Sequence, residues 1–242
     1  MKILSLGNSF SDDAHTYLHR IAAADGCEIY TVNLNIGGCS LERHYNNMKD
    51  NAKSYMFQEN GIITDKLISI EEGLLLEDWE VVTLQQVSNR SFDEDSYYPY
   101  INELAKYIRS LAPRAKILIH ETWAYENGSD RIKTAFGDES SEKMLSAIRK
   151  AYTRAKCEIN ADGIIPSGEL FFAISKDTSS KLHRDTFHAS YGLGRYALGL
   201  LWYRSLTGAS VIENSFSDFE EPVSSEDIAI AKRHAQEFNK II

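Results

Sequence analysis

Lys2-Ile3-Leu4-Ser5-Leu6-Gly7-Asn8-Ser9 (KILSLGNS) opens the chain with a short apolar run closed by a glycine. Such a run reads as a buried strand that ends at Gly7, leaving Asn8 and Ser9 at its carboxyl end. The same pattern recurs at Glu28–Leu34 (EIYTVNL), Glu80–Gln85 (EVVTLQ), Lys116–His120 (KILIH) and Gly163–Pro166. These runs are continuously apolar rather than alternating, as expected of a parallel sheet covered on both faces.

Longer stretches lie between them. His15–Ala24 places Leu18, Ile21 and Ala22 at helical spacing and stops at Gly26. Tyr97–Leu111 carries Ile101, Leu104, Ala105, Ile108 and Leu111, and Pro113 closes it. Ser140–Lys156, Tyr191–Leu206 and Ser225–Ile241 read as further helices. Leu41 to about Gln58 is polar and reads as helical, and Ile62–Leu76 as another helix. Strands alternating with helices imply right-handed βαβ units. The expected fold is α/β: a three-layer α/β/α sandwich with about five parallel strands. With no repeat or linker, residues 1–242 are expected to form a single domain.

Composition narrows the function. The chain is 43% hydrophobic, enough for a sizeable core, and its net charge is −9. An acidic chain gains nothing from neutralising phosphates, so nucleic acid is not an expected partner, and neither is an anionic membrane surface. No apolar run is long enough to span a bilayer. Cys27, Cys39 and Cys157 lie far apart, with neither metal-ligand nor disulfide-framework spacing. The apolar start is too short for a secretory signal, so the expected compartment is the cytoplasm.

Ligands of open α/β sheets bind beyond the carboxyl ends of the strands. Those ends carry Ser9, Gly37-Gly38, Gln85-Gln86, then His120, Glu121 and Trp123, and finally the loop Asp185-Thr186-Phe187-His188. A hydroxyl, glycines, amides, an imidazole and a carboxylate are the parts acyl transfer needs. A serine attacks once a base takes its proton, an imidazole is the usual base, and a carboxylate fixes its tautomer. Asp185 and His188, three residues apart, can turn to one side of a loop, although His183 is a competing base. Backbone N–H groups of Ser9 and Gly38 can receive the oxyanion, with a Gln85 or Gln86 amide as a third donor. Gly37-Gly38 also reads as nothing more than a tight turn. Trp123, and more weakly Tyr125, are candidate sugar-stacking contacts as well as ordinary core residues. Gln86 is likewise a candidate substrate contact. His15, His19, His44 and His234 lack partners at metal-ligand spacing and read as surface or capping residues.

In order along the chain, these blocks resemble the SGNH hydrolase superfamily, the GDSL-like lipases and acylhydrolases. Gly7-Asn8-Ser9-Phe10 stands where that family has Gly-Asp-Ser, so Ser9 matches its nucleophile. Gly38 matches its oxyanion glycine, and Asp185-Thr186-Phe187-His188 its Asp-x-x-His. The family's Gly-x-Asn-Asp block is replaced by Leu84-Gln85-Gln86-Val87-Ser88. The resemblance implies a flavodoxin-like topology, no metal or cofactor, and small esters as substrates. Some branches of this kind deacetylate carbohydrates, so an acylated sugar is the implied partner. Two other readings use the same residues: a non-catalytic flavodoxin-like binding module, and a thioesterase or peptidase.

Overall fold

A computed structural model describes all 242 residues. In chain order the elements are β1 (Lys2–Gly7), α1 (Ser9–His15), α2 (Leu18–Ala24), β2 (Tyr30–Asn35), α3 (Leu41–Lys49), β3 (Tyr55–Glu59), β4 (Ile62–Ile68), α4 (Ile70–Leu75) and β5 (Val81–Leu84). They continue with α5 (Tyr100–Leu111), β6 (Lys116–Glu121), α6 (Asp130–Phe136), α7 (Ser141–Ile159), β7 (Gly163–Pro166), α8 (Ser167–Ser175), α9 (Leu193–Thr207) and α10 (Ser225–Gln236).

The sheet order is β4-β3-β2-β1-β5-β6-β7. β2, β1, β5, β6 and β7 run parallel, in the order of a flavodoxin-like sheet. The five expected strands are therefore this parallel body. β1 and β5 are buried almost throughout because helices cover both faces. α3, α4, α5 and α7 pack together in one layer, while α1, α2, α8 and α10 pack on α9 in the other. No helix is long and apolar enough to cross a membrane.

Two expected helices are corrected. The helix beginning at Leu41 stops at Lys49, and Ile62–Leu76 is a helix only from Ile70 onward. Between them β3 and β4 form an antiparallel hairpin at the sheet edge. The turn is Asn60-Gly61, both with positive φ (47° and 78°), the pairing that suits the twist of a two-residue hairpin. Gly61 is also obligatory for space, since a Cβ there would meet the Thr16 backbone at 2.8 Å. α1, α6 and α8 are not expected from the sequence, and the helix expected over His15–Ala24 is α2, which begins at Leu18.

The histidines are corrected as well. His15 and His44 are fully buried, His15 Nε2 bonding Ser5 Oγ (2.9 Å) and His44 Nδ1 bonding the Tyr55 hydroxyl (3.0 Å). Burial lowers both to about 3, so they are neutral core side chains.

Glu121, at the end of β6, is a buried carboxyl facing the start of α8, where the Glu169 N–H donates to it (3.4 Å). Burial, reinforced by the Glu169 carboxylate, pushes it up to about 8 from 4.5. The native state therefore holds a proton that the unfolded chain releases, and stability falls as pH rises through that window. Glu121→Gln should leave the melting temperature unchanged at pH 4 and raise it at pH 9, by on the order of 5 °C for a few kcal/mol. Thermal denaturation at the two pH values checks this.

Candidate active site

β1 ends at Gly7 because the chain must turn there against packed neighbours. A Cβ on Gly7 would overlap the Ser11 hydroxyl and stand 2.5 Å from Asn33 Oδ1. Asn8 then caps α1, its Oδ1 accepting from Phe10 N (3.0 Å), and Ser9 becomes the first helical residue. A first-turn N–H has no intrahelical acceptor, so the Ser9 N–H remains free.

Asn8 also ties three loops together. Its Oδ1 accepts from Gln85 Nε2 (2.6 Å), and its Nδ2 donates to the Cys39 carbonyl (3.2 Å). An aspartate at this position could not make the second bond. The bond to Cys39 sets the Gly37-Gly38 turn beside Ser9. Gly38 has a φ of 63° with open space around its Cβ position, so glycine is required there for backbone conformation, not for room. Its N–H, like that of Ser9, has no partner in the protein.

The loop from Asp185 to His188 arrives from the other end of the chain. Asp185 Oδ1 accepts from His188 N (2.8 Å) and Phe187 N (3.4 Å), folding the loop over its own carboxylate. Thr186 adopts a φ of 74°, costly for a β-branched residue, and its carbonyl accepts from Glu126 N (2.8 Å). With the loop so bent, Asp185 Oδ2 meets His188 Nδ1 at 2.7 Å and His188 Nε2 meets Ser9 Oγ at 2.8 Å. Burial works to raise the Asp185 carboxyl, but the bonds from His188 outweigh it and hold it below the ordinary carboxylate value. Residues 179 apart in sequence thus form one hydrogen-bonded line from hydroxyl to imidazole to carboxylate.

A buried ion cluster holds the two segments in register. Asp13, on α1 one turn after Ser9, is fully buried. It accepts from Arg184 (2.8 and 3.0 Å), Arg195 Nε (2.9 Å) and the Ala189 N–H (3.0 Å). Arg184 and Ala189 are the residues immediately before and after the Asp185–His188 loop, so both ends of the loop are pinned to the helix that carries Ser9.

Ser9, Gly38 and His188 open onto a cavity of about 390 Å³, walled also by Tyr125, Phe187, Asn89 and Arg131. A second cavity of about 380 Å³, between Asn127 and Phe172, contains none of the three.

Three expectations do not survive the structure. Gln85 is buried and committed elsewhere: Nε2 donates to Asn8, while Oε1 accepts from Ser11 Oγ (2.5 Å) and meets His120 Nδ1 (2.7 Å). It holds the floor of the site and does not face an oxyanion. Gln86 is buried too, accepting from Leu41 N (3.0 Å) and donating to the Ser96 carbonyl (3.0 Å), so it neither contacts substrate nor replaces Gln85. Trp123 is fully buried, stacked between Phe10 (4.1 Å) and Phe171 (4.7 Å), with Nε1 donating to the Phe187 carbonyl (2.7 Å). It braces the histidine loop from beneath and offers no face to a sugar. His183, the competing base, has Nε2 on the Ala124 carbonyl (3.1 Å) and is lowered to about 4 by burial. Sequence reasoning missed Asp13, Asn89 and Arg131; no short motif marks them.

A family model described as "Domain of unknown function (DUF4886)" matches residues 2–238. The chain belongs to the DUF4886 family. A crystal structure of a DUF4886 family protein from Bacteroides uniformis ATCC 8492 is 32% identical, with a TM-score of 0.89 over 98% of this chain and 93% of that one. More distant is a candidate SGNH hydrolase from Slackia heliotrinireducens, 21% identical, with a TM-score of 0.61 over 84% and 97%. A lipase/acylhydrolase from Enterococcus faecalis is 17% identical, with a TM-score of 0.53 over 86% and 95%. No curated protein matches in sequence. At such identities the last two speak for the fold, and this DUF4886 chain shares the fold of SGNH hydrolases.

Removing Asp13 should leave the part-buried Arg184 guanidinium without a carboxylate and the buried Arg195 with only the more exposed Glu220. Asp13→Ala is expected to lower the unfolding free energy by about 3–5 kcal/mol, a loss that urea denaturation measures.

Proposed function

We propose that this DUF4886 protein is a serine esterase that removes a small acyl group, such as acetyl, from a carbohydrate. The observation that carries the proposal is the line of contacts from Ser9 Oγ through His188 to Asp185, at 2.8 and 2.7 Å, at the wall of a cavity.

Ser9 attacks the ester carbonyl as His188 Nε2 takes its proton. Asp185 holds the imidazole with Nδ1–H toward the carboxylate and stabilises the imidazolium that forms. The unpartnered N–H groups of Ser9 and Gly38 receive the oxyanion. His188 then protonates the departing alcohol. Water, deprotonated by His188, attacks the acyl-enzyme and frees Ser9. The cavity's volume suits a small ester. The carbohydrate half of the proposal rests on the likeness of Gly7-Asn8-Ser9-Phe10 and Leu84-Gln85 to SGNH branches that deacetylate sugars.

Ser9→Ala should fold as the parent does and hydrolyse 4-nitrophenyl acetate at least ~10³-fold more slowly in kcat/KM. Asp185→Asn should fall by ~10²-fold or more while KM changes little. Parent-like turnover by Ser9→Ala would refute the assignment.

A further inference from the structure

We propose that Arg131 makes the site selective for esters that carry a carboxylate close to the scissile bond. The proposal rests on the esterase reading and names the substrate class within it.

Arg131 lies in the first turn of α6 and lines the same cavity as Ser9 and His188. No aspartate or glutamate lines that cavity, so this guanidinium is its one permanently charged group. The carboxylate of the site, Asp185, is spent on the far side of the imidazole. Most other arginines are satisfied: Arg20, Arg114, Arg149, Arg184, Arg195 and Arg233 each pair with a carboxylate, and the exposed Arg43, which also lacks a partner, lies outside this cavity. Arg131 has neither an ion pair nor a hydrogen bond within the protein. Its single specific contact is with an aromatic face, the guanidinium carbon standing 4.0 Å from the centre of the Phe187 ring.

That contact determines what remains available. A guanidinium held over an aromatic ring spends none of its N–H donors on a protein acceptor, so they remain available to grip a carboxylate by two parallel bonds. It also fixes the distance to the chemistry, because the Phe187 ring lies 3.8 Å from the His188 ring, centre to centre. The cation is therefore held one aromatic ring away from the base. A net charge of −9 makes the setting more telling. Such a chain repels anions at long range, so an unpaired cation exposed at the rim of this cavity is a local feature and not part of a basic surface.

The carboxylate could belong to the alcohol, as in an acetylated uronic acid, or to the acyl group, as in a succinyl ester. Both present the same anion to Arg131, and two substrate pairs separate them. One pair is acetylated glucuronic acid against acetylated glucose; the other is mono-4-nitrophenyl succinate against 4-nitrophenyl butyrate. For the parent, Arg131→Lys and Arg131→Gln, the quantity read is the ratio of kcat/KM for the charged member to that for the neutral one. In at least one pair this ratio should fall by roughly tenfold or more in Arg131→Gln, fall less in Arg131→Lys, and decline in the parent as NaCl is added. The pair that responds identifies the side carrying the anion. An unchanged ratio in both pairs overturns the proposal. So does an equal loss for charged and neutral members, which would make Arg131 only a brace for Phe187. Turnover of the neutral esters together with either result leaves the esterase reading standing; no turnover of any of the four sinks both.

Discussion

The carboxylate of Asp13 is the contact on which the rest of the site depends. It sits on the same short helix as Ser9, and it receives hydrogen bonds from residues on both sides of the loop that carries Asp185 and His188. A helix is rigid over one turn, so fixing Asp13 fixes Ser9. Fixing Arg184 and Ala189 fixes the loop between them. Burying the Asp13 and Arg195 charges is costly and contributes little net stability against an apolar alternative. What the cluster supplies is position. It holds a hydroxyl and an imidazole from opposite ends of the chain within hydrogen-bond reach.

Beneath this clamp a polar floor holds the remaining loops. Asn8 touches Gln85 on one side and the Cys39 carbonyl on the other, and Gln85 continues to Ser11 and His120. The floor accounts for both departures from the blocks of the SGNH hydrolases that the sequence resembles. Asparagine in place of aspartate supplies a donor to the Gly37-Gly38 turn. Glutamine at the end of β5 reaches back under Ser9 and Asn8 instead of forward to the cavity. Trp123 adds a support from below through the Phe187 carbonyl. The free N–H groups of Ser9 and Gly38 stand on a scaffold whose other polar groups are largely paired.

Much of this was legible in the residues, and the boundary of what was legible has physical causes. Ser9, Gly38, Asp185 and His188 could be found because local spacing and the strand-end rule both apply to them. The parallel body could be found because doubly covered strands are continuously apolar. The directions of Gln85, Gln86 and Trp123 could not, since a side chain at a strand end turns toward partners from distant segments: Asn8, Ser96 and Phe187. His15 and His44 look like surface residues until Ser5 and Tyr55 are seen beside them. The β3–β4 hairpin reads as helix because its outer strand exposes Ile62, Ile63 and Leu67, which blurs the alternation expected of a strand. Asn60-Gly61 was the signal that would have corrected it. Asp13 and Arg131 carry no motif, and their roles exist only through long-range contacts.

Nucleophilicity at Ser9 is the central claim, and a fluorophosphonate probe followed by peptide mass spectrometry tests it most directly. The arrangement of hydroxyl, imidazole and carboxylate predicts one adduct on the peptide that contains Ser9, formed far more slowly in His188→Ala. An unlabelled protein, or an adduct confined to another serine such as Ser88, would contradict it.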